Sequence, residues 1–178
     1  IGFAGRPGDP RKNISLLFFA LKNLINQGKN FELLLTGDET EPLEKLAEDL
    51  GIRRHITWTG WLNEDELPNF YQKLDIFVIP STQEGLNIAG LQAMATAVPI
   101  VSTRCGGPED YVIEGKTGAL ISADSDEMAA AILTITENRL KREVLGRNAR
   151  QFVEENYNHN QFEKSLATAW RQTWGDQI

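Results

Sequence analysis

Short apolar runs alternate along this chain with longer segments in which apolar residues recur every three or four positions. The short runs are rich in β-branched and aromatic residues and predict buried strands at 1–4, 31–36, 56–59, 76–79, 100–103 and 117–121. The periodic segments predict helices at about 14–25, 41–50, 67–74, 88–95, 125–133, 140–155 and 160–170. Polar residues suited to capping, Asn13, Asp124 and Asn160, mark the starts of three of these helices.

The alternation of strand and helix predicts the fold class. It indicates an α/β domain with a Rossmann-like, doubly wound parallel sheet, because right-handed crossovers cover both faces of such a sheet with helices. No internal repeat or long linker divides the sequence, so residues 1–178 are interpreted as one domain. If the strand order is the common 3-2-1-4-5-6, the loops after strands 1 and 4 face the same crevice.

Composition and charge exclude several classes of protein. The formal net charge of −7 argues against a general binder of nucleic acid or anionic membrane, since both need a broad basic face. Any phosphate site must therefore be local. The single cysteine, Cys105, rules out an internal disulfide and fits a reducing compartment, so we expect a cytoplasmic location. No apolar run approaches the roughly 20 residues of a membrane helix, and no signal peptide is visible.

The loop after the fourth strand is the strongest candidate for a site. It carries Glu84 and Gly85 between the carboxyl end of a strand and the amino end of the helix that begins near Ile88. Ligands of open α/β sheets bind at such places, because the loops line a crevice and the unpaired helix N–H groups attract anions. The loop after strand 1 concentrates positive charge in Arg6, Arg11 and Lys12.

The fourth loop and its helix resemble a known motif. The run 84–94, EGLNIAGLQAM, followed by Pro99 and by CGGPED at 105–110, resembles the donor-binding motif of the retaining nucleotide-sugar glycosyltransferases of family 4, which have the GT-B fold. The family usually has two glutamates separated by seven residues, and Glu84 matches the first. Gln92 stands at the second position and Asn87 stands where a glycine is usual.

The resemblance implies a role for each matching residue. Glu84 would lie against the donor sugar as the catalytic carboxylate, and Arg6 and Lys12 would hold the diphosphate. Gln92 would contact the ribose, and the backbone N–H groups of Asn87 and Ile88 would bind phosphate. Further candidate residues are Gly5, Arg11, Thr59, Gly60, Gly85 and Asp110.

Each of these residues also has a simpler interpretation that stays open from the sequence. Glu84 could cap the following helix, Gln92 could be a structural amide, and basic loop residues are often only solvated. Gly106-Gly107 could be a turn that the chain path requires. The four tryptophans are interpreted as packing residues of the core or of a domain interface, with Trp170 and Trp174 facing the latter.

The resemblance covers only the second half of such an enzyme. We therefore expect the donor-binding C-terminal domain of a metal-independent glycosyltransferase, with the N-terminal acceptor domain of the same protein as its partner and nothing catalysed by this domain alone. The donor would be a nucleotide-diphosphate sugar, no cofactor or nucleic acid is expected, and any peripheral membrane association would come through the other half. The alternative is a non-catalytic nucleotide-binding or protein-interaction module on the same fold. A nicotinamide-dependent enzyme is disfavoured because the turn after strand 1 lacks the glycine fingerprint.

Overall fold

Six parallel strands form the centre of the molecule in the computed structural model, which describes residues 1–175. They are β1 (Gly2–Phe3), β2 (Leu33–Thr36), β3 (Ile56–Gly60), β4 (Phe77–Ile79), β5 (Ile100–Thr103) and β6 (Gly118–Ile121). Their order in the sheet is β3-β2-β1-β4-β5-β6, which confirms the doubly wound order expected from the sequence. The order reverses between β1 and β4, where Gly2 pairs with Phe77.

Seven α-helices connect and cover these strands. They are α1 (Ile14–Asn26), α2 (Glu41–Asp49), α3 (Leu67–Tyr71), α4 (Ile88–Ala95), α5 (Ser125–Thr136), α6 (Arg139–Asn156) and α7 (His159–Trp174), all within residues 1–175. Short 3-10 turns at Pro10–Lys12, Arg53–His55 and Gly107–Asp110 complete the connections.

The strands bury side chains on both faces, which is why they appear in the sequence as continuous apolar runs. Along β4 and the residue before it, Ile76 and Val78 pack with α1, α2 and α5, whereas Phe77 and Ile79 pack with α3, α4 and α6. The domain therefore has two hydrophobic layers, one on each side of the sheet, as the period of two along a strand requires.

The central strand β1 passes under a tightly packed side chain. A Cβ atom at Gly2 would lie 2.1 Å from Cδ1 of Leu74, so a larger residue here would require the Leu74 side chain to move. Leu74 is buried, but it lies beyond the end of α3, which the sequence had extended to residue 74.

Two of the helix starts differ in detail from the sequence prediction. The last helix begins at His159 with Asn158 as its N-cap, whose side chain accepts a hydrogen bond from the Gln161 N–H, so the prediction of Asn160 was wrong by two residues. Asn13 does precede α1, but its backbone is left-handed and its Oδ1 accepts from Ser15 Oγ instead of capping the helix.

The loops after β1 and β4 meet at the carboxyl edge of the sheet. The backbone N–H of Thr82 donates to the Arg11 carbonyl at 2.8 Å, and the Lys12 side chain reaches Glu84. The expected convergence of these two loops is confirmed, and it brings the charged candidates of both loops into one place.

Candidate functional site

The centre of the site is an ion pair between the two meeting loops. Lys12 Nζ lies 2.7 Å from Oε1 of Glu84, and the two side chains are 21% and 7% exposed. Ser81 Oγ donates to the same oxygen at 2.6 Å. Within residues 1–175 the hydrogen bonds to this carboxylate all end on Oε1, and none is made to Oε2.

The backbone of Glu84 is fixed as firmly as its side chain. Its N–H donates to the Cys105 carbonyl at 2.8 Å, and its carbonyl accepts from the Gly107 N–H at 3.3 Å. A Cβ at Gly107 would lie 1.5 Å from the Gly85 carbonyl oxygen, and one at Gly106 would lie 2.7 Å from that of Glu84. The glycine pair therefore provides close approach to the Glu84 loop, in addition to forming a turn.

The amino end of α4 lies directly after this loop. Asn87 is the N-cap residue in a left-handed backbone conformation, and its side chain accepts from the Gly90 N–H at 2.9 Å. Because Asn87 caps the helix, Glu84 has no capping role here. The buried Tyr111 hydroxyl donates to the Asn87 carbonyl at 3.2 Å, and Ile88 is 64% exposed at the first helical position. Burial raises the pKa of Tyr111, which keeps this hydroxyl a donor.

Gln92 lies one turn further along α4 and has a partner that the sequence did not indicate. Its Oε1 accepts a hydrogen bond from the Tyr71 hydroxyl on α3 at 3.0 Å. Tyr71 is 1% exposed, and burial raises its pKa, so it stays protonated and keeps donating. The side-chain NH₂ group of Gln92 is then the part best placed to meet a ligand.

The basic residues of the first loop differ in their surroundings. Arg11 forms two side-chain hydrogen bonds to Asp9, at 3.1 and 2.7 Å, and these bonds lower the pKa of Asp9 to about 2. Its charge is therefore compensated within the loop. Arg6 is exposed to solvent, whereas Lys12 is half-buried and directed at Glu84.

The remaining candidates lie around this centre, and the structure does not bring them into contact with Glu84. Gly5 donates its N–H to Thr36 Oγ1 at 3.0 Å. On β3, Thr59 Oγ1 donates to the Leu35 carbonyl, and the Gly60 carbonyl accepts from Gly37. Asp110 is exposed at the end of its 3-10 turn.

Beyond β3, Trp61 gives this edge of the sheet an exposed aromatic ring. The indole is 59% exposed, and its Nε1–H donates to Asp38 Oδ2 at 2.9 Å. Of the four tryptophans, only Trp58 packs against the core; Trp61, Trp170 and Trp174 are exposed. Cys105 is buried, and burial raises the pKa of its thiol, as is usual for a cysteine packed in the interior.

Sequence reasoning missed the residues that support the site. Tyr71 and Tyr111 contact the candidates only through tertiary packing, and Ser81 contacts Glu84 within the same loop. Ser81 had one detectable signal, since it is a hydroxyl-bearing residue soon after a buried strand and three positions before Glu84.

Among residues 1–175 no grouping of three or more histidine, cysteine, aspartate or glutamate side chains could hold a metal ion. Nor is any helix in that part long and apolar enough to cross a bilayer.

The sheet has the strand order of one domain of the GT-B fold. An acidic and a basic side chain meet in front of a helix N-terminus at the point where that order reverses. The chain belongs to the glycosyl transferases group 1, the family that matches residues 2–152.

Individual relatives agree with this family. The chain is 32% identical over 154 residues to a GDP-mannose-dependent alpha-(1-6)-phosphatidylinositol monomannoside mannosyltransferase of Mycobacterium tuberculosis, with 81% of this chain and 40% of the relative covered. Sucrose-phosphate synthase from Thermosynechococcus elongatus superposes with a TM-score of 0.86 at 26% identity, over 97% of this chain and 45% of that one.

A domain solved by itself has the same fold. The C-terminal domain of a glycosyl transferase group 1 family protein from Francisella tularensis matches with a TM-score of 0.78 at 21% identity, over 89% of this chain and 86% of that domain. The chain thus matches a C-terminal half, and it spans less than half the length of the mycobacterial relative.

Proposed function

We propose that this chain is the donor-binding domain of a retaining glycosyltransferase, which transfers a hexosyl group from a nucleotide-diphosphate sugar to a glycan, lipid or small-molecule acceptor. The observation that carries the proposal is the pairing of Lys12 with Glu84 where the β1 and β4 loops meet. The mycobacterial relative is described as dependent on GDP-mannose, which supports a donor of this class.

The diphosphate would be held by fixed positive charge. Arg6 and Lys12 lie in the β1 loop, and the first N–H groups of α4 face the same edge of the sheet. As the bond between the sugar and the diphosphate breaks, the leaving oxygen gains negative charge. Cations and helix N–H groups that are already in place stabilise that charge without reorganising.

Glu84 would act on the sugar through Oε2. A carboxylate beside the ring can accept hydrogen bonds from hydroxyl groups and offset the positive charge of an oxocarbenium-like transition state. With Oε1 already bonded to Lys12 and Ser81, the carboxylate is held in one orientation before the donor arrives. Retention of configuration is part of the proposal and follows from the family resemblance of this motif.

Gln92 would meet the ribose through its side-chain NH₂ group. Because Tyr71 occupies Oε1, the amide presents donors where a glutamate would present acceptors, and ribose hydroxyl oxygens can accept from them. The contact would lack the negative charge of a glutamate. We infer that it orients the nucleoside more than it adds affinity.

Gln92 and Asn87 also favour a second candidate, a nucleotide-binding or protein-interaction module without catalysis. Both positions depart from the residues usual in the family motif. In the protein that carries this chain together with an acceptor-binding half, a Glu84→Ala variant distinguishes the two candidates. Unaltered transfer by that variant would favour the non-catalytic module, and loss of transfer would favour the enzyme.

The donor site can be tested by isothermal titration of this chain with UDP, GDP and ADP and with UDP-glucose and GDP-mannose. Wild type is expected to prefer one base. Arg6→Ala and Lys12→Ala should each weaken binding of that diphosphate by roughly tenfold, because each removes a charged hydrogen-bond donor. Arg142→Ala is the matched control, since Arg142 pairs with Asp75 and is not among the site residues.

The same titration can contradict the proposal. Equal affinity for all three nucleoside diphosphates, unaffected by Arg6→Ala and Lys12→Ala, would show that this edge of the sheet is not a donor site. Circular dichroism of each variant checks that the fold is retained.

A further inference from the structure

We propose that Ser81 is a positioning residue for sugar transfer, which holds Glu84 so that the donor sugar meets the single oxygen Oε2. The inference rests on the proposed function. It adds a requirement for a hydroxyl group that itself contacts neither the sugar nor the diphosphate.

Ser81 is built into the core and not into the surface of the loop. It follows β4 by two residues and is 1% exposed, although the loop around it is mostly open to solvent. Its Oγ lies 2.6 Å from Oε1 of Glu84, the distance of a strong hydrogen bond from a hydroxyl to a carboxylate.

The backbone of Ser81 is tied to the neighbouring strand. Thr103, the last residue of β5, is 1% exposed and its hydroxyl donates to the Ser81 carbonyl. The same Oγ1 lies 3.2 Å from the carbonyl oxygen of Ile79. Two strand ends therefore hold the chain that carries Ser81, and a rigid donor sets the direction of the Glu84 carboxylate.

The need for Ser81 arises because Lys12 has two roles that compete. Lys12 bonds to Oε1 in the structure, and under the proposed function the same ammonium group binds the diphosphate. A diphosphate carries more negative charge than one carboxylate, so it draws Lys12 away from Glu84 or shares it. The neutral, buried Ser81 hydroxyl is not drawn in this way, and it keeps Oε1 in place when the donor is bound.

The consequence is a carboxylate that offers one acceptor oxygen in a fixed direction. Without Ser81, the Glu84 side chain would be free to rotate once Lys12 engages the phosphates, and both oxygens would compete for the sugar hydroxyls. Binding of the nucleoside diphosphate would be unaffected, since Ser81 does not reach that part of the ligand. Discrimination for the sugar and the rate of transfer would fall.

The experiment uses the protein in which this chain is joined to its acceptor-binding half. Ser81→Ala removes the hydroxyl, and Ser81→Cys keeps nearly the same volume with a much weaker donor, in case the alanine variant does not fold. Ser102→Ala is the matched control, because Ser102 is also fully buried but its hydroxyl donates to the Thr103 carbonyl, at 2.8 Å, and not to the Glu84 carboxylate. The probes are UDP with UDP-glucose and GDP with GDP-mannose, and the pair that wild type binds is used.

The Ser81 variants are expected to lose sugar transfer but to keep their affinity for the nucleoside diphosphate. In Ser81→Ala and Ser81→Cys, kcat for transfer falls by about tenfold to a hundredfold, the range for loss of one hydrogen bond to a charged group. The affinity for the nucleoside diphosphate changes by less than about twofold. The affinity for the sugar conjugate falls relative to the affinity for the diphosphate. Ser102→Ala is expected to match wild type in kcat and in its affinities for the nucleoside diphosphate and for the sugar conjugate.

Three results would overturn the inference. If both Ser81 variants transfer sugar as wild type does, Ser81 does not position Glu84, while the proposed function stands. If they lose diphosphate affinity and transfer together, the role of Ser81 is structural. If wild type binds none of the four probes and transfers no sugar, the proposed function fails and the inference fails with it.

Discussion

Among single residues, Gly107 is the one whose replacement the structure constrains most. A Cβ there would lie 1.5 Å from the backbone oxygen of Gly85, an overlap that no side-chain rotation relieves. Gly107→Ala is therefore expected to move the Glu84 loop or the turn facing it, and to lower the free energy of unfolding by about 2 kcal/mol or more, the scale of an overpacked interior site. Urea denaturation followed by circular dichroism measures the change.

The facing loop supplies a control for that measurement. A Cβ at Gly85 meets no atom within 4 Å, so Gly85→Ala should change stability by no more than about 0.5 kcal/mol. Equal stability of the two variants would mean that the loops do not pack as closely as described.

At this scale the sequence predicted the charged residues but not the groups that hold them. Lys12 and Glu84 could be found because each follows a buried strand, and the strand order places those two strand ends side by side. Tyr71 could not be found, because its contact with Gln92 depends on how α3 packs against α4. The sequence likewise did not show how the Gln92 amide is oriented, and so whether its NH₂ group or its oxygen is left for a ligand.

At the scale of elements, the connection between α4 and β5 contains a strained residue. Ala97 has a φ of 61°, in the left-handed region that costs a residue with a Cβ about 1–2 kcal/mol. Ala97→Gly removes that cost but adds flexibility to the unfolded chain, so the expected net gain in the free energy of unfolding is about 0.5–1 kcal/mol. Thermal denaturation is the measurement.

The same substitution within a helix should lower the free energy of unfolding instead of raising it. Ala130 is exposed within α5, where glycine is less favourable than alanine by about 1 kcal/mol. Ala130→Gly is the control, and a loss of stability in Ala97→Gly as large as in Ala130→Gly would contradict the assignment of strain to position 97.

Strand order and helix identity were predictable because each buried strand forms a continuous apolar run and each covering helix has an apolar stripe. The exact ends of the strands and helices were harder to predict. Local capping patterns favoured Asn160 over Asn158, two residues with the same side chain. The α3 helix ends at Tyr71, and Leu74, which the sequence pattern had placed in that helix, lies beyond its end and packs over Gly2.

At the scale of the whole molecule, the chain is expected to bind a nucleotide weakly and to transfer no sugar by itself. Under the proposed function, the carboxyl edge of the sheet binds the donor, and the acceptor is bound mainly by another domain. Incubation of the purified 178 residues with UDP-glucose or GDP-mannose and an acceptor should yield no transfer product. Turnover by this chain would show that it carries its own acceptor site.

The last helix, α7, presents exposed apolar side chains that also concern the whole molecule. No residue of α7 is buried, and Phe162, Leu166, Trp170 and Trp174 are each about half exposed or more and follow one another at intervals of four residues. The sequence expectation that Trp170 and Trp174 face a domain interface remains a prediction. A stripe of this kind is the usual pattern of a helix that packs on one side.

The ion pair between Lys12 and Glu84 also has an evolutionary consequence. Each side chain is mostly shielded from water, so a gene that changes one of them leaves the other as an isolated, poorly solvated charge. Substitutions at the two positions are therefore expected to be correlated, although 71 residues separate them in the sequence. We expect lineages derived from this gene to keep both residues or to replace both, with few surviving intermediates.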